Sequence, residues 1–365
     1  MAESIPDKNL PAENMPPKAA LPVPVDLIRA VAIFLVILLH ISTEPVSVPI
    51  GVSVNLAWWT TDFFNSIARP CVPLFVMLTG YLLLQPSKVN EPLKVFFKKR
   101  FARIGLPFIF WGAIYLVWLV AFDGVNFSLN YIVLAMLQGP YVTFWYLYML
   151  IGLYLLTPIL RVFVAYASDN IMKLFLVVWF VGSGIVPLGY VFGYSLSSQV
   201  FVLPGWVGYF LLGAYLPKIK MKPRRWRLFV LMAIGFAWTM IASALMEISP
   251  GPETYYFYDY LTANVIAASV ALFLLLISFS TTSFEKLPSV AKKLIHTVSV
   301  NTLPIYLFHM LLVEAFQIGL FGFTLTIMSL NPAIMTPLLT IIVLSISLTV
   351  VLGLKQVPFL KRIIG

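Results

Sequence analysis

Apolar residues run through this chain in long uninterrupted stretches, and polar residues are confined to short connections between them. Ten such stretches stand out, at approximately 25–43, 61–85, 104–122, 142–164, 170–190, 199–217, 228–246, 260–280, 300–321 and 333–353. Helices of about 20 residues match the ~30 Å hydrocarbon thickness of a bilayer, whereas barrel strands would show runs of about ten with strict alternation. The pattern predicts an all-α polytopic membrane protein, with about ten transmembrane helices around a central polar cavity over residues 25–353. Residues 1–24 are polar and rich in proline (Pro6, Pro11, Pro16, Pro17, Pro22, Pro24) and read as a mobile tail. They lack the basic-then-apolar layout of a cleaved signal peptide. Residues 354–365 read as a second, C-terminal tail.

The connections divide by charge. Those near 86–103 and 218–227 are dense in Lys and Arg, the one near 281–299 adds Lys286, Lys292 and Lys293, and the end of the chain carries Lys355, Lys361 and Arg362. The alternate connections near 44–60, 123–141, 191–198, 247–259 and 322–332 have no Lys or Arg and carry Glu44, Asp123, Glu247, Glu253 and Asp259 instead. Cytoplasmic loops of membrane proteins are enriched in cations. An even number of spans with this bias predicts a multi-pass protein of the cell membrane with both termini in the cytoplasm.

Composition sharpens the exclusions. Of 365 residues, 61% are hydrophobic and 10% charged, against about 25% charged in soluble domains. No sizeable water-soluble domain fits. The net charge of +10 does not indicate nucleic acid, because its cations sit where topology explains them. One cysteine, Cys71, rules out an intrachain disulfide. No metal-ligand spacing, Gly-x-Ser-x-Gly elbow, Walker loop or dinucleotide fingerprint occurs, so no bound metal or permanent cofactor is expected.

The candidate chemistry lies in polar residues inside the apolar runs, where an ionisable group costs roughly 2.5–3.5 kcal/mol on the insertion scale. Arg29 and His40 are eleven residues apart, which returns a helix to within about 20° of the same face and separates them by ~16 Å along it. Arg29 is either a snorkelling topology anchor or part of a site; His40 near the outer end is harder to explain as an anchor. Asp26, one turn before Arg29, is placed to pair with it. Glu44, four residues after His40, is placed to orient the imidazole. Arg69 lies inside the second span beside Pro70 and Pro73, which free backbone groups where protein or a water-filled cavity resupplies partners. It marks a polar interior or a structural pair with a carboxylate such as Asp62. Arg100 and Arg103 share a face of a basic segment and can clamp phosphate or contact anionic lipid. His309 either lines the same cavity or bonds a neighbouring helix, and His296 sits in a connection.

Five segments, in order, resemble the acyltransferase 3 family of integral-membrane O-acyltransferases. They are Asp26, Arg29 and His40 in the first span; Arg69-Pro-Cys-Val-Pro-Leu-Phe with Thr79-Gly-Tyr81, where serine is commoner at Thr79; Arg100-Phe-Ala-Arg103; Phe144 to Pro158; and Ile305-Tyr-Leu-Phe-His309. The resemblance spans roughly residues 25–353. It implies transfer of an acyl group, most often acetyl, from cytoplasmic acyl-CoA to a hydroxyl of a cell-surface glycan or glycolipid. The implied roles are His40 as base or covalent nucleophile, with Arg29 and Arg69 completing the catalytic set and Arg69 stabilising the oxyanion. Arg100 and Arg103 would bind the donor. Expected partners are acyl-CoA, the acceptor and membrane lipid; a homo-oligomer is compatible with this. The competing class is a transporter or flippase using Arg29, Arg69, His40 and His309 as a relay, but the repeated halves with interrupted helices common in transporters are not evident.

Overall fold

The computed structural model describes residues 23–43, 55–126, 128–194, 205–219, 224–248, 255–279, 284 and 286–365. Glu44 and the first 22 residues lie outside these. Among the described residues every regular element is helical and none is a strand.

Helix α1 (Val25–Ile41) is followed by α2 (Leu56–Ala68) and α3 (Cys71–Leu83), two halves of one 28-residue span. The break falls at Arg69–Pro70 because Pro70 has no N–H to continue the ladder of α2. Then come α4 (Leu93–Phe122), α5 (Leu129–Gln138) and α6 (Trp145–Tyr166). A π-turn at Val181–Ile185 separates α7 (Asp169–Phe180) from the short α8 (Leu188–Val191). The remainder are α9 (Gly205–Tyr215), α10 (Arg225–Ile248), α11 (Ala263–Ser278), α12 (Ser289–Val300), α13 (Thr302–Gln317), α14 (Pro332–Leu354) and α15 (Leu360–Ile363).

The ten expected spans become fewer. Among the described residues seven helices are long and apolar enough to cross a bilayer, or eight if α12 and α13 count as one bent span. Each of the ten apolar runs does contain helix. Yet α1 has 17 residues and α9 has 11, at the lower limit of or below the ~17–25 that span hydrocarbon. The α12–α13 pair bends by 78° at Asn301.

Both α1 and α3 sit in the core. Most of α1 is buried, including Ile28, Ile33 and Ile37, because helices pack around it on several sides: α2, α3, α12, α13 and α14. A broad apolar surface remains on α4, α7, α10 and α14, with Val117, Leu174, Ile234 and Ile341 all exposed, as befits helices facing lipid tails.

Small residues set the tightest crossing. A Cβ on Gly80 of α3 would lie 1.8 Å from the Phe210 carbonyl oxygen of α9, and one on Gly213 of α9 would lie 1.7 Å from the Met77 carbonyl oxygen. The two backbones touch, the membrane form of helix packing through small side chains. Gly80, the glycine of the Thr-Gly-Tyr segment, therefore serves close packing.

The chain end also packs. Trp111 Nε1 donates to the Ile364 carbonyl at 3.2 Å, and Ile364 is fully buried. The segment read as a tail is thus docked against α4.

Candidate active site

All five segments singled out in the sequence contribute to one cavity. Its volume is about 80 Å³, and it is lined by Arg29 of α1, Phe75 and Thr79 of α3, Arg103 of α4, Tyr146 and Tyr154 of α6, and Thr302 and Tyr306 of α13, with leucines and Ile104 between them. A cleft of about 480 Å³ lined by Asp26, Arg29, Leu82 and Phe284 shares Arg29 and Leu82 with it. Arg29 is therefore common to a deep chamber and a shallower cleft at the basic end of the bundle.

The charges there are not balanced locally. Arg29 interacts electrostatically with Arg103, Tyr146 and Tyr154 as well as with Asp26. The expected Asp26–Arg29 pair does not form. Asp26 instead accepts from Ser299 Oγ at 2.6 Å and from His296 Nδ1 at 2.8 Å. The reason is the bend at Asn301, which folds α12 back beside the start of α1. His296, assigned no role from its position in a connection, is Asp26's partner.

Arg100 and Arg103 are divided by their surroundings. Arg103 is exposed and reaches the cavity. Arg100 lies over the Phe96 ring at 5.6 Å and the Tyr154 ring at 5.7 Å, and its Nε is buried without a partner. Below it, Arg161 is 2% exposed, which sequence reasoning missed. Its Nε donates to the Leu83 carbonyl at 2.8 Å, and its Nη1 reaches Glu91 at 3.0 Å and the Lys88 carbonyl at 3.2 Å. Arg161 also covers the other part of the Phe96 environment, 4.7 Å from that ring. It ties the α3–α4 connection to α6 and so sets where α4 presents Arg100 and Arg103.

Tyr306 forms the inner wall of the chamber. Its hydroxyl donates to the Thr143 carbonyl at 2.7 Å, and its ring lies 5.2 Å from Tyr146 and 5.8 Å from His309. The His309 and His40 rings are 5.2 Å apart, tilted by 47°. The two histidines of separate helices thus meet inside the bundle behind Tyr306, and neither is among the residues that line the chamber.

The model of the acyltransferase 3 family, an acyltransferase domain, matches residues 24–354. The chain belongs to the acyltransferase 3 family. It is a membrane acyltransferase. No similar curated protein and no similar solved structure was found.

Outside the chamber lining, this acyltransferase places Arg69 within reach of His40. The guanidinium interacts electrostatically with His40. It is not held by Asp62, the carboxylate considered from the sequence. Its Nε donates to Asn65 Oδ1 at 2.8 Å, its Nη2 bonds the same oxygen, and its Nη1 donates to the Tyr258 carbonyl at 2.9 Å. It also lies 4.6 Å from the Tyr258 ring. Its hydrogen-bond partners are all neutral, and the Asp62 carboxylate and the His40 imidazole both lie within its electrostatic reach. Asp62 is fully buried and accepts from the Tyr258 hydroxyl and Ser66 Oγ. Glu314 accepts from the Tyr141 hydroxyl and is not among the groups at the histidine pair.

Among the described residues no cluster of His, Cys, Asp and Glu could hold a metal. The tyrosines of the chamber lay within segments recognisable from the family pattern, yet only the fold shows which of their faces point inward.

Proposed function

We propose that this acyltransferase moves an acetyl group from acetyl-CoA, entering at the basic end, to a hydroxyl of a cell-surface glycan or glycolipid at the opposite end. The observation that carries this reading is the convergence of the five segments on one arginine-lined chamber whose inner wall abuts the histidine pair. Lys and Arg segregation puts the basic end in the cytoplasm, where acyl-CoA is available. The cleft and chamber share Arg29, and Arg29 and Arg103 supply charge-assisted bonds to a phosphate-bearing head group.

The chemistry follows from the donors present. The acceptor hydroxyl attacks the thioester carbonyl, forming the C–O bond as its proton passes to the His40 imidazole. The C–S bond then breaks and the proton returns to the departing thiolate. Arg69, with no carboxylate partner, stabilises the oxyanion.

The test uses membrane vesicles containing the protein, with radiolabelled acetyl-CoA added on the basic side. The expected result is alkali-labile label in glycan, lost in His40→Ala although that variant still inserts and purifies. Label transfer that persists in His40→Ala, or no release of free CoA thiol by the wild type, would overturn the reading. Mass spectrometry of surface glycans with and without the protein identifies the acceptor.

A further inference from the structure

We infer that His309 works with His40 as a proton-relay pair, a role that rests on the proposed acyl transfer. Two independent observations lead there. The first is tautomer. His309 Nδ1 lies 2.7 Å from the Tyr306 carbonyl oxygen. A carbonyl only accepts, so Nδ1 carries the hydrogen and Nε2 carries the lone pair. The second is placement. His309 is fully buried, its Nε2 has no hydrogen-bond partner, and its ring centre is 5.2 Å from that of His40. A buried nitrogen lone pair without a donor is costly to keep. It is kept where a donor arrives during turnover.

The donor is the His40 imidazole. A neutral imidazole has one N–H and one lone pair. When His40 takes the acceptor's hydroxyl proton on its free nitrogen, it can pass its other proton to His309 Nε2, directly or through one water. The C–O bond forms, the C–S bond breaks, and both protons shift back by one place as the thiolate is protonated. The sum is hydroxyl plus thioester giving ester plus thiol, with both imidazoles restored. The relay spreads the positive charge over two rings while the oxyanion exists, rather than leaving it on His40 next to Arg69. His309 acts through His40, so it is a positioning and relay residue.

The discriminating substitution is His309→Asn. The Asn amide N–H can replace Nδ1–H at the Tyr306 carbonyl, but nothing replaces the Nε2 lone pair. In vesicles with radiolabelled acetyl-CoA, transfer by His309→Asn is expected to fall about 100-fold, with CoA affinity by isothermal titration unchanged. Wild-type rates in H₂O/D₂O mixtures should curve with deuterium content, as two moving protons require. His309→Asn retaining more than a third of the wild-type rate would overturn the relay, and so would a linear isotope dependence in the wild type, a measurement that needs no variant to fold. A wild type that transfers label while His309→Asn is unimpaired removes only the relay. A wild type that transfers none removes the proposed acyl transfer with it.

Discussion

Asp26 and Arg29, one helical turn apart on α1, do not pair: the carboxylate is held by His296 and Ser299 of α12, and the guanidinium faces the chamber beside Arg103. Two like charges lining one chamber favour an anionic ligand. A charge-assisted hydrogen bond contributes about 1.5–3 kcal/mol, and each 1.4 kcal/mol is tenfold in affinity. Arg29→Gln and Arg103→Gln are each expected to raise KM for acetyl-CoA by roughly 10–100-fold, with the wild-type affinity falling as salt rises. Initial rates against acetyl-CoA concentration check this. An unchanged KM in both variants would remove the phosphate-binding role.

Asp26 itself should matter little for the donor. Its side chain is 31% exposed and that of His296 is 63% exposed, and exposed pairs contribute about 0–1 kcal/mol. Asp26→Asn is expected to lower thermal stability slightly and to leave KM for acetyl-CoA within about threefold of the wild type, a difference under 1 kcal/mol. A larger loss of donor affinity would mean that Asp26 orients Arg29 despite its other partners.

Much of this site was legible in the chain before any contact was known. The eleven-residue spacing of Arg29 and His40 put both inside the bundle because a helix repeats its face at that interval. Pro70 marked where backbone groups are freed, which is the junction of α2 and α3. What stayed hidden depends on contacts between residues far apart in sequence. Asp26 meets His296 across 270 positions, and Arg161 meets Glu91 across 70. No local pattern encodes either. Arg161 sits in an apolar run where a single arginine reads like any other anchor. Span number was over-read for a related reason: apolar runs indicate burial, and α1 and α9 are buried by protein, so neither has to match the bilayer in length.

Gly80→Ala tests the α3–α9 contact. The new Cβ would overlap the Phe210 carbonyl carbon and oxygen at 2.7 and 1.8 Å, and backbone cannot rotate away as a side chain can. Overpacking of this kind costs about 1–3 kcal/mol or more. The variant is expected to melt at lower temperature in detergent and to lose activity as Thr79 and Tyr81 shift with α3. Gly353→Ala, at a glycine with no atoms within 4 Å of an added Cβ, is the matched control and should melt like the wild type. Equal melting of Gly80→Ala and Gly353→Ala would show that the helices separate at little cost.

The Glu91–Arg161 link makes stability depend on pH in a definite direction. Glu91 lies between α3 and α4, and the hydrogen bond from Lys99, helped by Arg161, holds its carboxyl below the ordinary 4.5. A depressed carboxyl stabilises the fold fully above its unfolded value, and that contribution disappears as pH falls through the folded value. The melting-temperature difference between wild type and Glu91→Gln should therefore be constant near neutrality and shrink below pH 4.5. A difference that stays level from about pH 7 down to pH 3.5 would show that Glu91 contributes through packing alone. Arg161→Met, which keeps bulk but abandons the Leu83 and Lys88 carbonyls, should cost about 2 kcal/mol or more at any pH. Because Arg161 fixes the connection leading into α4, the same variant should raise KM for acetyl-CoA through displaced Arg100 and Arg103, leaving kcat at saturation less affected.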